Sequence, residues 1–95
     1  MLARIYIGVG RFKDERTDGI ASFDTFLLEK VGGFTRFNAV GGWRKDGQDY
    51  RENSIVYEIA LENADIATAI AVCAKAAFRQ EAVLLVLIEA KIEMV

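Results

Sequence analysis

Residues 82–88 read A-V-L-L-V-L-I, and the chain continues E-A-K-I-E-M-V to residue 95. The first seven are apolar at every position. From there on, polar Glu89, Lys91 and Glu93 alternate with apolar Ala90, Ile92 and Met94. Successive side chains of a strand point to opposite faces. The stretch therefore predicts a last strand that begins with two apolar faces and ends with one, so something must cover the second face.

Upstream, Asn63 to about Arg79 places Ile66, Ala69, Ile70, Cys73, Ala77 and Phe78 on one helical face, with Asn63 or Asp65 as its cap. The alanines let this helix sit close to a sheet. Gln80 and Glu81 either cap its end or hold the register of the last strand. Before the helix, Ser54–Leu61 alternates Ile55, Tyr57, Ile59 and Leu61 with Val56, Glu58 and Ala60, a third strand. Phe34–Trp43 is a second, with Thr35, Phe37, Ala39, Gly41 and Trp43 on one face and Phe34, Arg36, Asn38 and Val40 on the other. Between them, polar Arg44–Asn53 reads as a hairpin loop centred on Asp46-Gly47. Ala3–Gly10 alternates Ile5, Ile7 and Val9 with Arg4, Tyr6 and Gly8, a first strand whose glycines mark its end or a close backbone approach. Arg11–Ala21 reads as a charged loop with a turn at Asp18-Gly19. Ser22 then caps a helix carrying Phe23, Phe26, Leu27 and Val31, stopped by Gly32-Gly33.

The order β-α-β-β-α-β is that of the split β-α-β, or ferredoxin-like, α+β fold: one domain over residues 1–95, with two helices on one face of a four-stranded antiparallel sheet. The usual strand order, 4-1-3-2, puts the last strand at an edge. Its apolar second face then leaves a hydrophobic patch opposite the helices, extended by Tyr6, Val56 and Phe34 or Phe37. Twofold association covers such a patch on both subunits at once. Tyr6, Val56, Leu85 and Leu87 are the expected homodimer contacts.

Composition narrows the function classes. A net charge of −2 with mixed-sign stretches such as R-F-K-D-E-R (Arg11–Arg16) gives no basic surface for nucleic acid. Tyr6 and Tyr57 differ in strand parity, so they do not form the aromatic platform that RNA-binding versions of this fold use. The single Cys73 excludes an intrachain disulfide. No run reaches the roughly 20 apolar residues of a membrane span, and Met1–Val9 does not read as a signal peptide. The expectation is a cytoplasmic protein with no membrane or nucleic-acid partner.

Three stretches carry a resemblance: G-G-W-R-K-D-G (Gly41–Gly47), R-E-N-S-I-V (Arg51–Val56) and F-R-Q-E-A-V-L (Phe78–Leu84). Together with Y-I-G-V-G-R (Tyr6–Arg11), they resemble a group of small bacterial and phage proteins of unknown function. That group carries G-x-W-R-x-x-G, R-E-x-S-x-V and F-x-Q-E-x-V-L in this order. The resemblance spans nearly the whole chain and implies a ferredoxin-like fold, with no reaction attached. This chain departs from the group in a shorter first loop and first helix, and in starting directly at its first strand.

Candidate chemistry is sparse. There is no histidine, so a zinc site or a catalytic triad would need uncommon ligands; no metal site and no cofactor are expected. Gly8-Val9-Gly10 lacks the third glycine and the helix that a dinucleotide loop requires. Glu52, Glu58, Glu81 or Tyr57 could serve as acid or base if desolvated, but Glu58 more simply pairs with Arg4 or Arg36 on neighbouring strands. Trp43, Arg44, Arg51 and Glu52, with Tyr57, are the candidate ligand-binding residues. Arg44, Arg51 and Glu52 read equally as an ion-paired rim of the hairpin. Gln80 and Glu81 are expected at the opposite end of the sheet. The first functional expectation is a non-enzymatic binding protein, dimeric, taking a protein or small ligand, in its concrete form a phage-encoded inhibitor or sequestering protein. The alternative is a small enzyme of the dimeric α+β barrel type, an oxygenase or isomerase, with Phe37, Asn38, Trp43 and Tyr57 lining its pocket.

Overall fold

A computed structural model describes residues 1–10 and 17–95. Six elements follow one another: β1 (Leu2–Gly10), α1 (Ile20–Val31), β2 (Thr35–Lys45), β3 (Gln48–Ala60), α2 (Ala64–Ala77) and β4 (Leu84–Ile88). The strands form one antiparallel sheet in the order β2-β3-β1-β4, so β4 is an edge, as its place in a split β-α-β predicts. The fold is ferredoxin-like α+β. The Arg11–Arg16 stretch lies outside the described residues.

Ala3, Ile5, Ile7 and Val9 of β1 and Ile55, Tyr57 and Ile59 of β3 are buried in one cluster with Phe23 and Leu27 of α1 and Ala67, Ile70, Ala71 and Ala74 of α2. This is the helix face of the sheet. The small side chains of α2 bring its backbone close to β1 and β4, so the core is built from short reach on that side and from aromatic rings on the other. Phe23 packs edge-on to Tyr57 and to Phe78, with centroids 4.9 and 5.8 Å apart.

Both helix ends are fixed by identifiable groups. The Ile66 N–H donates to Asn63 Oδ1 (3.0 Å), the cap the sequence offers. At the other end, Gln80 Nε2 donates to the Phe78 carbonyl and the Gln80 N–H to that of Lys75. Gly32 closes α1 in the left-handed region (φ 82°). The start of α1 differs from expectation. Its cap is Gly19, and Ser22 lies inside the first turn with its hydroxyl donating back to the Gly19 carbonyl (3.1 Å). Gly19 is required for packing: a Cβ there would stand 2.5 Å from the Ala77 carbonyl oxygen. The Arg79 guanidinium donates to both oxygens of Asp18 across the same junction.

The central hairpin is longer than its polar sequence suggests. Pairing runs from Thr35↔Glu58 to Lys45↔Gln48, so the turn is Asp46-Gly47 alone, with φ of 53° and 75°. Because β1 stops at Gly10, opposite Asn53, residues 41–52 form a two-stranded arm beyond the sheet. The molecule measures 43 Å along its longest axis against 26 and 24 Å across. Conversely, the last strand is shorter than its alternation suggests. It spans five residues, and its ladder with β1 ends at Ile88 opposite Leu2.

Register corrects two expected subunit contacts. Leu85 pairs with Ile5 and Leu87 with Ala3, so both point to the helix face, and Leu85 packs on the core. Leu84, Val86 and Ile88 occupy the open face instead. Tyr6 is on that face, as is Val56, but Val56 is fully buried within the subunit between its register partners Tyr6 and Phe37.

Candidate functional site

The open face near the arm's base holds an unusual combination. Glu52 pairs with Gly41 across the hairpin, and its carboxylate extends over Gly8 of β1, where a Cβ would overlap it. Two glycines thus leave bare backbone beside a half-buried acid. Among the described residues, Glu52 makes no hydrogen bond and no ion pair. One step further along the same face, Trp43 and Tyr50 are register partners whose rings stack at 5.7 Å with 13° between planes. Trp43 is 47% exposed. The site therefore consists of a carboxylate, a glycine floor and a flat aromatic wall.

The five residues expected to bind a ligand do not converge. Trp43 and Glu52 share the open face. Arg44 and Arg51 fall on the opposite side of the arm, where Arg44 Nε donates to Asp49 Oδ1 at 2.6 Å. Tyr57 is fully buried in the core, and its hydroxyl donates to Asp24 Oδ1 (2.6 Å). Burial and that neighbouring carboxylate push its phenol well above the ordinary tyrosine range. Arg36 Nη2 in turn stands 3.3 Å from Asp24 Oδ2. This chain of three groups joins α1 to the sheet and leaves no free hydroxyl for a ligand. Glu58 pairs with Arg4 (Nε–Oε2 2.7 Å), the simpler of its two expected roles.

The start of β4 lies at the arm's end of the sheet, not the opposite one. Tyr6 pairs with both Val56 and Leu84, and β3 and β4 both run antiparallel to β1, so both enter the sheet at the same end. The stretches around Gly8-Gly10, Glu52-Ser54 and Gln80-Glu81 therefore gather at one end. Strand direction in the β-α-β-β-α-β order already implied this. Tyr50 and Gly8 were the other residues missed, and counting alternate residues from Glu52 along a longer hairpin would have found Tyr50.

No protein-family model matches the chain, and no curated protein matches it in sequence. Solved structures do match its shape. A phage SAM lyase in complex with S-methyl-5'-thioadenosine superposes with a TM-score of 0.65 at 19% identity, over 88% of this chain and 76% of the lyase. The divalent ion tolerance protein CutA1 from Ehrlichia chaffeensis gives 0.65 at 10% identity, over 98% and 84%. The periplasmic divalent cation tolerance protein CutA from Archaeoglobus fulgidus gives 0.62 at 14%, over 98% and 89%. The shared feature is the fold. Among the described residues no helix is long and apolar enough to cross a membrane, and no group of three or more His, Cys, Asp or Glu side chains is placed to hold a metal.

Proposed function

We propose that this chain is a small self-associating binding protein whose arm-base site takes a cationic ligand bearing a flat ring, with an adenosyl sulfonium such as SAM as the ligand class. The observation that carries this reading is the Glu52 carboxylate, partly withdrawn from water over Gly8 and without a partner among the described residues. A carboxylate partly withdrawn from water attracts a cation more strongly than one in bulk solvent. The stacked Trp43–Tyr50 pair supplies a face for a nucleobase, and aromatic rings also attract a sulfonium. The similar phage SAM lyase, solved in complex with S-methyl-5'-thioadenosine, supports the ligand class and a phage source.

Self-association rests on the same face. The arm is a two-stranded ribbon, which is marginal on its own in water. Phe37 (43% exposed) and the edge residue Leu84 (60%) lie on the same side of the sheet. A second copy laid on this face covers them, and a homodimer is the simplest closed arrangement.

Whether the bound ligand is held or cleaved is a second question with a direct test. Incubation of the purified protein with SAM, followed by chromatographic separation, distinguishes the two. Intact SAM retained with the protein supports sequestration. Release of S-methyl-5'-thioadenosine, lost in Glu52→Gln, supports a lyase. SAM neither retained nor altered contradicts the proposal. Nothing in the site favours an oxygenase or an isomerase.

A further inference from the structure

On the helix face, behind the site just described, a cavity of about 280 Å³ opens between the start of α1 and the overhanging part of β2 and β3. Val9, Ile20 and Ile55 give it an apolar floor, and Arg36, Asn38 and Asn53 give it a polar rim. Its size is at the lower end of small-molecule sites, about 300 Å³. Among the described residues that line it, Arg36 is the one that carries a charge. Its guanidinium is not free to swing, because Asp24 holds one nitrogen, and Asp24 is itself held by the Tyr57 hydroxyl. Asp24 is not among the described lining residues, and its one recorded contact with Arg36 is to Nη2, at 3.3 Å. A planar guanidinium oriented in this way suits a carboxylate, which can accept two parallel hydrogen bonds from it. Ile20 is the first residue of α1, and that helix start has no side-chain cap and no acid in its first turn, so its partial charge also favours an anion.

We propose that this cavity is a binding site for a small aliphatic carboxylate, with Arg36 anchoring the anion and Val9, Ile20 and Ile55 covering its tail. The site is separate from the Glu52 site, lies on the other face of the sheet, and prefers the opposite charge.

The probe is sodium hexanoate, titrated into the full-length protein while the Arg36 Nε–H and the Asn38 side-chain amide are followed by NMR. The expected result is saturable shifts at both, with hexanamide producing none. Arg36→Gln should weaken binding about ten-fold or more, the loss of a charge-assisted hydrogen bond. Should that variant fail to fold because Asp24 loses its partner, Asn38→Leu leaves the Asp24–Arg36 pair in place, fills the cavity and should abolish the shifts. Glu52→Gln should leave hexanoate binding unchanged, which separates this site from the sulfonium site. Absence of saturable shifts in the unmodified protein, equal binding of hexanamide, or undiminished binding in folded Asn38→Leu would each overturn the proposal.

Discussion

The Glu52 carboxylate occupies the space above Gly8 that any other residue would fill with its β-carbon. Gly8 sits in β1 opposite Ser54, and Glu52 is the next residue of β3 on the same face. The glycine is thus a condition for the acid's position rather than a flaw in the strand. Gly8→Ala should push the flexible Glu52 side chain aside while the ladder persists. SAM affinity should fall several-fold, and the thermal midpoint should move little. A large loss of stability with unchanged affinity would argue against this role.

Gly19 differs because its neighbour is backbone. A Cβ would meet the Ala77 carbonyl oxygen at 2.5 Å, and neither α1 nor α2 can yield there without repacking Phe78. Gly19→Ala should cost about 1–3 kcal/mol, the range for forced overpacking. Urea unfolding of the two proteins measures it.

Tyr57 should make the protein lose stability in alkali. Its phenol is raised in the folded state, so between the unfolded pKa of about 10 and the higher folded value the unfolded chain binds fewer protons. Its contribution is complete below that unfolded value and is lost as pH rises through the folded one. Tyr57→Phe should be less stable than the unmodified protein at neutral pH and should show a shallower decline above pH 10. Parallel stability–pH curves for the two proteins would contradict this.

Leu84 and Leu85 are adjacent in sequence and opposite in role. Leu84 is exposed on the open face and Leu85 packs on the helix-side core. Leu84→Lys should give a folded species of lower mass by light scattering. Leu85→Lys should mainly destabilise the subunit. If Leu84→Lys leaves the mass unchanged, the open face is not the subunit contact.

Most of the fold was legible because its signals are local and repeated. Alternation in residues 3–10 and 54–61, helical spacing around Ile66–Cys73 and the Asp46-Gly47 turn are each sufficient for their element. Two failures share one cause. Residues 44–53 are polar on both faces because the arm projects into solvent, so no alternation marks them as strand. The tail after Ile88 alternates clearly, yet its pairing with β1 ends at Leu2↔Ile88. Pattern reports which face could be buried, whereas pairing decides whether a strand exists. The site was half legible. Trp43 and Glu52 stand out by residue type, but their common face, the separation of Arg44 and Arg51 from it and the burial of Tyr57 depend on register. Register was not fixed until the length of the hairpin was known.

The central claim is that Glu52 receives a cationic ligand. Calorimetric titration of SAM into the unmodified protein and into Glu52→Gln tests it most directly, because the substitution removes the charge and keeps the shape. Saturable binding that weakens about ten-fold or more in the variant is the predicted result. Equal affinity in the two proteins, or no binding to either, would contradict it.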